Sequence, residues 1–415
     1  MRILHRSRRP ARLAGCAALA LGLAGTAVTG PPAAQARVTW PVINQHAAAS
    51  WGQNNEGQLG DGSPADRALY GGVSGLAGGV VQVAAGSEHG LAVTSGGTVW
   101  AWGRNVEGEL GDGTLTTSRT PVRVMGLTGI IAVSAGGRHS LALRSDGTVW
   151  AWGDNEHGQM GNGVTSLHQL TPVEVAGLAG VTKISAGGDF SLALRSDGTV
   201  WAWGYNQDGE LGNGTTADSS VPVRVTGLSQ VTSIAAGGEA SVAVRTTGIA
   251  AATSVWAWGG NHDGELGDGT LTGHSTPEQV TGINVPGIAG ISMSAFSYFV
   301  VALGTDGSVW GWGSDEGGQL GSTPTFTAVT RPVRVIGPAI GITQVSAGRD
   351  HVLALESSGT VLAWGDNFDG ELGNGRTTLP IVAPVQVTGL TTASQVSAGN
   401  NFSLAVYQPP SVAGP

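Results

Sequence analysis

The line Trp102-Gly-Arg-Asn-Val-Glu-Gly-Glu-Leu-Gly-Asp-Gly113 returns as Trp203-Gly-Tyr-Asn-Gln-Asp-Gly-Glu-Leu-Gly-Asn-Gly214, and its opening Trp-Gly recurs at Trp51, Trp102, Trp152, Trp203, Trp258, Trp312 and Trp364. The spacings are 51, 50, 51, 55, 54 and 52 residues. Self-similarity at such a period marks a repeat architecture, in which each unit buries its apolar face on the next. Between two lines lie three further segments, seen in one unit as residues 121–124, 131–136 and 139–143; then come Ser145-Asp-Gly147 and residues 148–152. Each is short, rich in β-branched or aromatic residues and bounded by glycine or Asx turns, so each reads as a strand. Four strands in each of seven units predict an all-β, seven-bladed β-propeller of four-stranded blades over residues 47–407. The last unit supplies residues 384–387, 393–399 and 402–406 but no Trp-Gly strand, and the missing strand stands at residues 47–52. Pairing the N-terminal strand with the C-terminal blade would close the ring and remove the open sheet edges.

Composition agrees with a turn-rich β fold. Glycine supplies 70 of 415 residues, charged residues only 12%, and there is one cysteine. No three-residue glycine period exists, which excludes collagen, and 40% hydrophobic residues with 13 Trp exclude general disorder. Residues 1–36 read as a secretory signal: Arg2, Arg6, Arg8, Arg9 and Arg12 precede an apolar stretch over 13–28 and the cleavage motif Ala34-Gln35-Ala36. Cleavage after Ala36 would leave a secreted, extracellular protein with a linker over 37–46 and a disordered tail over 408–415. It would also leave 15 Lys and Arg against 29 acids, a net charge of −14. Such a balance argues against nucleic acid and anionic lipid as partners. With Cys16 gone there is no disulfide and no thiolate chemistry. No later apolar run is long enough to insert into a membrane, and a monomer is expected.

The Trp-Gly-x-Asn-x-x-Gly-[Glu/Gln]-Leu-Gly-x-Gly line, the Ser-Ala-Gly-x-x-His-Ser-Leu-Ala-Leu line and the fifty-residue period resemble the regulator of chromosome condensation repeats, in the setting of a secreted bacterial seven-bladed propeller. The resemblance covers residues 47–407. It implies the propeller fold, and a family that spans nuclear guanine-nucleotide exchange factors, partner-binding domains and secreted inhibitors of β-lactamase. Fold alone does not choose among these.

The repeated residues read as architecture. Twelve of the 13 Trp lie in the Trp-Gly strands, where a residue present in every blade packs blade on blade. Asn54, Asn105, Asn155, Asn206, Asn261 and Asn367, with Asp315, follow their Trp by three and read as turn-closing side chains rather than metal ligands. His89, His139 and His351 share a register with Phe190, Ala240, Phe299 and Phe402, which makes it a packing position. No cofactor or metal is implied, no hydrolase, zinc-protease or phosphate-loop motif occurs, and a non-enzyme is expected.

Partner-binding candidates are the departures from symmetry. The Trp-Gly loops and the Ala-Gly-x-x turns should share a rim. The seven twelve-residue lines hold 17 of the 29 acids against one base, Arg104. Glu107, Asp208, Asp263 and Asp369 represent an acid found in every line, and such a ring would steer a basic partner. Tyr205, Phe368, His157 and His262 vary among the loops, and Phe296 with Tyr298 replaces a glycine-containing turn; aromatics among polar residues are an interface signature. Insertions at 249–253 and 284–290 also break the repeat. The favoured expectation is a secreted, non-catalytic interaction module for a protein or cell-wall ligand, with an inhibitor of a secreted enzyme such as β-lactamase and a guanine-nucleotide exchange factor as alternatives.

Overall fold

A computed structural model describes residues 45–248, 252–322, 324–337 and 341–410. The signal over residues 1–36, most of the linker and the last five residues lie outside the described residues. Among the described residues there is no helix long and apolar enough to cross a membrane.

The strands form seven four-stranded antiparallel sheets, numbered here in chain order as blades. Blade one is Val80–Ala85, His89–Thr94, Val99–Gly103 and Ser118–Arg123, running from the innermost strand to the outermost. Blades two to six begin at Ile130–Ala135, Val181–Ala186, Val231–Ala236, Ile288–Ser292 and Ile342–Ala347. Blade seven draws on both ends of the chain, in the order Ala393–Ala398, Phe402–Tyr407, Ala47–Gly52 and Arg67–Gly72. Ala47–Gly52 pairs along its whole length with Phe402–Tyr407, from Ala47 opposite Tyr407 to Gly52 opposite Phe402.

The closure therefore holds, but its phase differs from the sequence expectation. Residues 384–387 belong to the outermost strand of blade six, Ile381–Gln386, and each terminus contributes two strands to blade seven. The reason is local. The strand after each Trp-Gly line folds back on the Trp strand that precedes it, as Trp100 opposite Arg123 shows, so a blade starts one segment later than the visible repeat.

Tryptophan joins the blades. Trp51, Trp102, Trp152, Trp203, Trp258, Trp312 and Trp364 are fully buried. Each indole N–H donates to a backbone carbonyl in the preceding blade's loop, for example Trp203 Nε1 to Gln159 O at 2.7 Å and Trp51 Nε1 to Glu371 O at 2.7 Å. An indole buries about 200 Å² and keeps its polar atom satisfied, so one residue type supplies both the apolar contact and the registration. The outer indoles sit in the sheet's shallower layer, where Arg144 stacks 5.2 Å above Trp150.

The innermost strands line a central cavity of about 300 Å³. Their polar side chains stitch neighbours together: Gln82 Oε1 accepts Val133 N–H at 2.9 Å, and Gln395 Oε1 accepts Val83 N–H at 2.8 Å across the chain junction. The two insertions meet on the rim opposite the Trp-Gly loops, where Thr253 Oγ1 accepts the Ile288 N–H at 2.7 Å. Residues 249–251 lie outside the described residues.

Candidate partner-binding rim

Each Trp-Gly loop folds onto the Ala-Gly-x-x turn of its own blade. Arg104, Asp154, Tyr205, Gly260, Ser314, Asp366 and Gln53 donate their N–H to the carbonyls of Glu88, Arg138, Asp189, Glu239, Tyr298, Asp350 and Asn401. Loops and turns thus share one rim, as their spacing predicts. The approach requires the glycine of Trp-Gly. Gly153 has φ of +106°, and a Cβ there would strike Arg138 O and His139 Cα. The turns are also linked around the cavity mouth, with Gly137 N–H to Gly187 O at 3.1 Å and Gly188 N–H to Gly237 O at 3.0 Å.

In six loops an asparagine, and in the blade-five loop Asp315, stands three residues after Trp, is buried and closes the turn. Asn206 Oδ1 accepts Leu211 N–H at 2.8 Å while its Nδ2 donates to Thr215 O and Ala217 O. The acid counted on the rim comes four residues after the tryptophan in the loops of blades two and five and five residues after it in the others, and seven residues after the tryptophan stands a glutamate or glutamine that is buried in all seven loops. That side chain accepts the N–H two residues before it. Gln58 Oε1 does so for Glu56 at 2.9 Å, and Glu210 Oε2 for Asp208 at 3.0 Å.

The rim is consequently less charged than its residue count. Glu109, Asp154, Glu210, Glu265, Asp315 and Glu371 are buried. Burial pushes Glu210 and Glu371 up to about 8 and Glu265 to about 7. Glu210 and Glu371 are thus mostly protonated near neutrality and Glu265 about half so, and the exposed and half-buried acids carry most of the field. Glu109 is raised as well by burial, with Arg104 beside it pulling the other way.

The sequence-derived candidates gather in one sector of blades two to five. His157 Nδ1 lies 2.8 Å from Asp218 Oδ2, and its ring meets Tyr205 edge-on at 4.9 Å between centroids. Asp208, Glu239 and His262 bring their ligand atoms within 4.8 Å of one another. Burial raises Glu239, and the charges of Asp208 and Asp263 add to the shift while His262 opposes it. Tyr205 and Tyr298 are also raised, first by burial and then by the field of these acids, including Glu239 in both cases. Five candidates, Tyr205, Asp208, His262, Asp263 and Tyr298, therefore lie within electrostatic reach of Glu239, a residue of the blade-four turn that the sequence did not single out, and His157 joins them through Tyr205.

The other candidates stand apart. Phe296 turns inward at the cavity mouth, its ring edge close to Gly137 three blades away. Phe368 is exposed on blade six. Asp369 beside it is held by Gln53 Nε2 at 3.1 Å and Asn401 Nδ2 at 3.0 Å. Glu107, on blade one, lies 2.8 Å from His168 Nδ1, at ion-pair distance but off hydrogen-bond alignment.

The histidine register is a packing position. His89, His139 and His351 are buried, and each Nε2 meets a serine hydroxyl of the next blade, as His139 meets Ser191 at 2.9 Å. Burial lowers His139 to about 4 and His89 and His351 to about 3. A histidine whose folded pKa is depressed stabilises fully above its unfolded value near 6.5 and loses that contribution as pH falls toward the folded value. His139→Phe is thus expected to fold like the wild type at pH 7 and to be about 2 kcal/mol less acid-sensitive between pH 7 and pH 5. Equilibrium unfolding at the two pH values checks this, and an unchanged pH dependence contradicts it.

Comparison with known proteins agrees with this architecture. The family model described as RCC1-like domain matches residues 33–335, and regulator of chromosome condensation (RCC1) repeat models match 342–371 and 358–406. The ultraviolet-B receptor UVR8 of Arabidopsis thaliana is 32% identical over 369 residues, 86% of this chain and 82% of that protein. The human E3 ubiquitin-protein ligase HERC2 is also 32% identical, over 79% of this chain but only 7% of its own length. Among solved structures, Prp20p of Saccharomyces cerevisiae superposes with a TM-score of 0.75 at 23% identity, covering 89% of this chain and 93% of that one. Human WBSCR16 superposes with 0.77 at 22% identity, covering 88% and 100%. Seven tryptophan-registered blades, a ring closed from both termini and repeat matches along nearly the whole propeller place one conclusion on the page: the chain belongs to the RCC1-like propeller family.

Proposed function

We propose that this propeller is a secreted, non-catalytic protein-interaction module, and that the sector of blades two to five around Glu239 binds a basic protein segment. The observation that carries the reading is the convergence there of half-buried carboxylates, Asp208 and Asp263, with the half-buried aromatics Tyr205 and Tyr298. Carboxylates steer and orient a cationic partner, whereas rigid aromatic rings supply contact area at low entropic cost. The relative Prp20p is described as binding Gsp1p and histones, and histones are basic proteins. Export rests on the composition of residues 1–36.

A lysine- and arginine-rich peptide of about 20 residues serves as the probe, its length matched to one side of a standard interface. Asp208→Asn with Asp263→Asn is expected to slow its association about tenfold at low salt, with the difference shrinking at high salt. Tyr205→Ala should mainly speed dissociation, while Phe368→Ala, outside the sector, should leave both rates unchanged. Stopped-flow fluorescence measures both. Rates indifferent to salt and to the two charges contradict the reading, and preferential retention on purified cell wall would replace the basic segment with a cell-wall ligand.

A further inference from the structure

The same sector contains a feature that partner binding does not require. Asp208 comes from the blade-three loop, Glu239 from the blade-four turn and His262 from the blade-four loop, yet one donor atom from each lies within 4.8 Å of the others. His262 Nε2 stands 3.9 Å from Glu239 Oε2, too long for a hydrogen bond, and the imidazole is 72% exposed.

Two residues after Asp208 and Asp263 stand two more carboxyls, Glu210 and Glu265, which are 0% and 1% exposed. Each uses Oε2 to accept a backbone N–H, from Asp208 at 3.0 Å and from Asp263 at 2.9 Å. Each leaves Oε1 buried without a hydrogen-bond partner. Both lie within electrostatic reach of Glu239. A buried oxygen with no donor is costly, and two of them in electrostatic reach of one carboxylate leave acceptor capacity that a bound cation or its water would satisfy. The corresponding glutamate of blade one has one, since Arg104 Nε lies 3.9 Å from Glu109 Oε1. In the loops of blades three and four the equivalent positions of Arg104 are Tyr205 and Gly260, which bring no charge.

We infer that Asp208, Glu239 and His262 form a binding site for a single divalent transition-metal ion of the zinc class, with Glu210 and Glu265 as its outer carboxyls. The chemistry of the donors selects the ion. An imidazole with two carboxylates suits zinc and its neighbours, whereas calcium takes an all-oxygen set and more ligands. Three protein donors leave a coordination position open to solvent, available to water or to a donor side chain of a bound partner. The site goes beyond the binding reading and does not depend on it, because metal uptake is measured with no partner present.

The experiment is calorimetric titration of the metal-free full chain with zinc chloride, with calcium chloride run in parallel. One zinc ion per chain is expected, with calcium at least about 100-fold weaker. His262→Ala, at an exposed position that cannot compromise folding, should weaken zinc at least about tenfold. Glu210→Gln should weaken it by a similar factor while keeping the acceptor for the Asp208 N–H, as Gln58 and Gln159 do in their loops. Cobalt(II) substitution should add visible absorption that is lost in His262→Ala. Absence of saturable zinc uptake, zinc binding indifferent to His262→Ala, or calcium binding as tightly as zinc would each overturn the site. Loss of peptide binding with zinc uptake intact would overturn the interaction reading alone.

Discussion

Trp51→Ala is expected to lower the free energy of unfolding by about 3–5 kcal/mol. Trp51 lies on the N-terminal strand of blade seven but packs into the core of blade six, with Leu353, Leu355, Val361, Leu372 and Val387. Its truncation removes a fully buried indole and leaves Glu371 O at the chain junction with the Ser403 hydroxyl as its remaining donor. Deleting residues 45–52 should do more, because Phe402–Tyr407 and Arg67–Gly72 both lose the strand between them and expose unpaired edges. Trp150→Ala is the control: its indole is only partly buried, and about 1–2 kcal/mol is expected. Urea unfolding followed by fluorescence and circular dichroism measures all three. If Trp51→Ala costs no more than Trp150→Ala, the closure does not carry the stability assigned to it.

Glu371→Gln is expected to stabilise the protein at high pH and to do little at low pH. Burial raises Glu371 to about 8 from an ordinary 4.5, so the folded protein holds a proton that the unfolded chain releases. A raised carboxyl pKa contributes stability that is fully present below the unfolded value and is lost as pH rises through the folded one. Between pH 5 and pH 9 the wild type should lose about 4 kcal/mol more than the variant. Glutamine keeps the acceptor that Glu371 Oε2 gives the Asp369 N–H, as Gln319 does for Gly317 in the preceding loop. Thermal unfolding across this pH range checks it, and parallel curves for the two proteins would show that Glu371 titrates as an exposed acid.

The two predictions mark where the sequence is transparent and where it is opaque. Blade number, the tryptophan register, the turn-closing asparagines and the shared rim follow from periodicity, because they recur in every copy. The blade's true starting strand does not, since a visible repeat has no inherent phase and only the pairing of Trp100 with Arg123 assigns the outermost strand to the unit before it. The burial of Glu210, Glu265 and Glu371 had a signal, namely that Gln58, Gln159 and Gln319 replace them in sister loops. A position that takes either glutamate or glutamine asks for an oxygen acceptor, not for a charge.

The gathering around Glu239 had no such signal. Its turn position is also acidic in Glu88, Asp189 and Asp350, against Arg138, Tyr298 and Asn401 in the remaining blades, so Glu239 does not stand out from its sister positions. Tyr205 and Tyr298 reach it from the blades on either side, and that convergence exists only once neighbouring blades have stacked. Phe296 was legible as an oddity in its turn, but its inward course toward Gly137 depends on the glycine across the cavity mouth leaving room for it.

The central claim is that the sector around Glu239 is the face a partner meets. A photo-crosslinking amino acid placed at Tyr205, at Phe368 or at Asp197 on the opposite rim, in otherwise unaltered protein, tests it against culture fluid and a cell-wall extract. Adducts from position 205, absent at 368 and 197 and competed by the lysine- and arginine-rich peptide, are the predicted result. Adducts from position 197 or 368 with none from 205 would contradict the account.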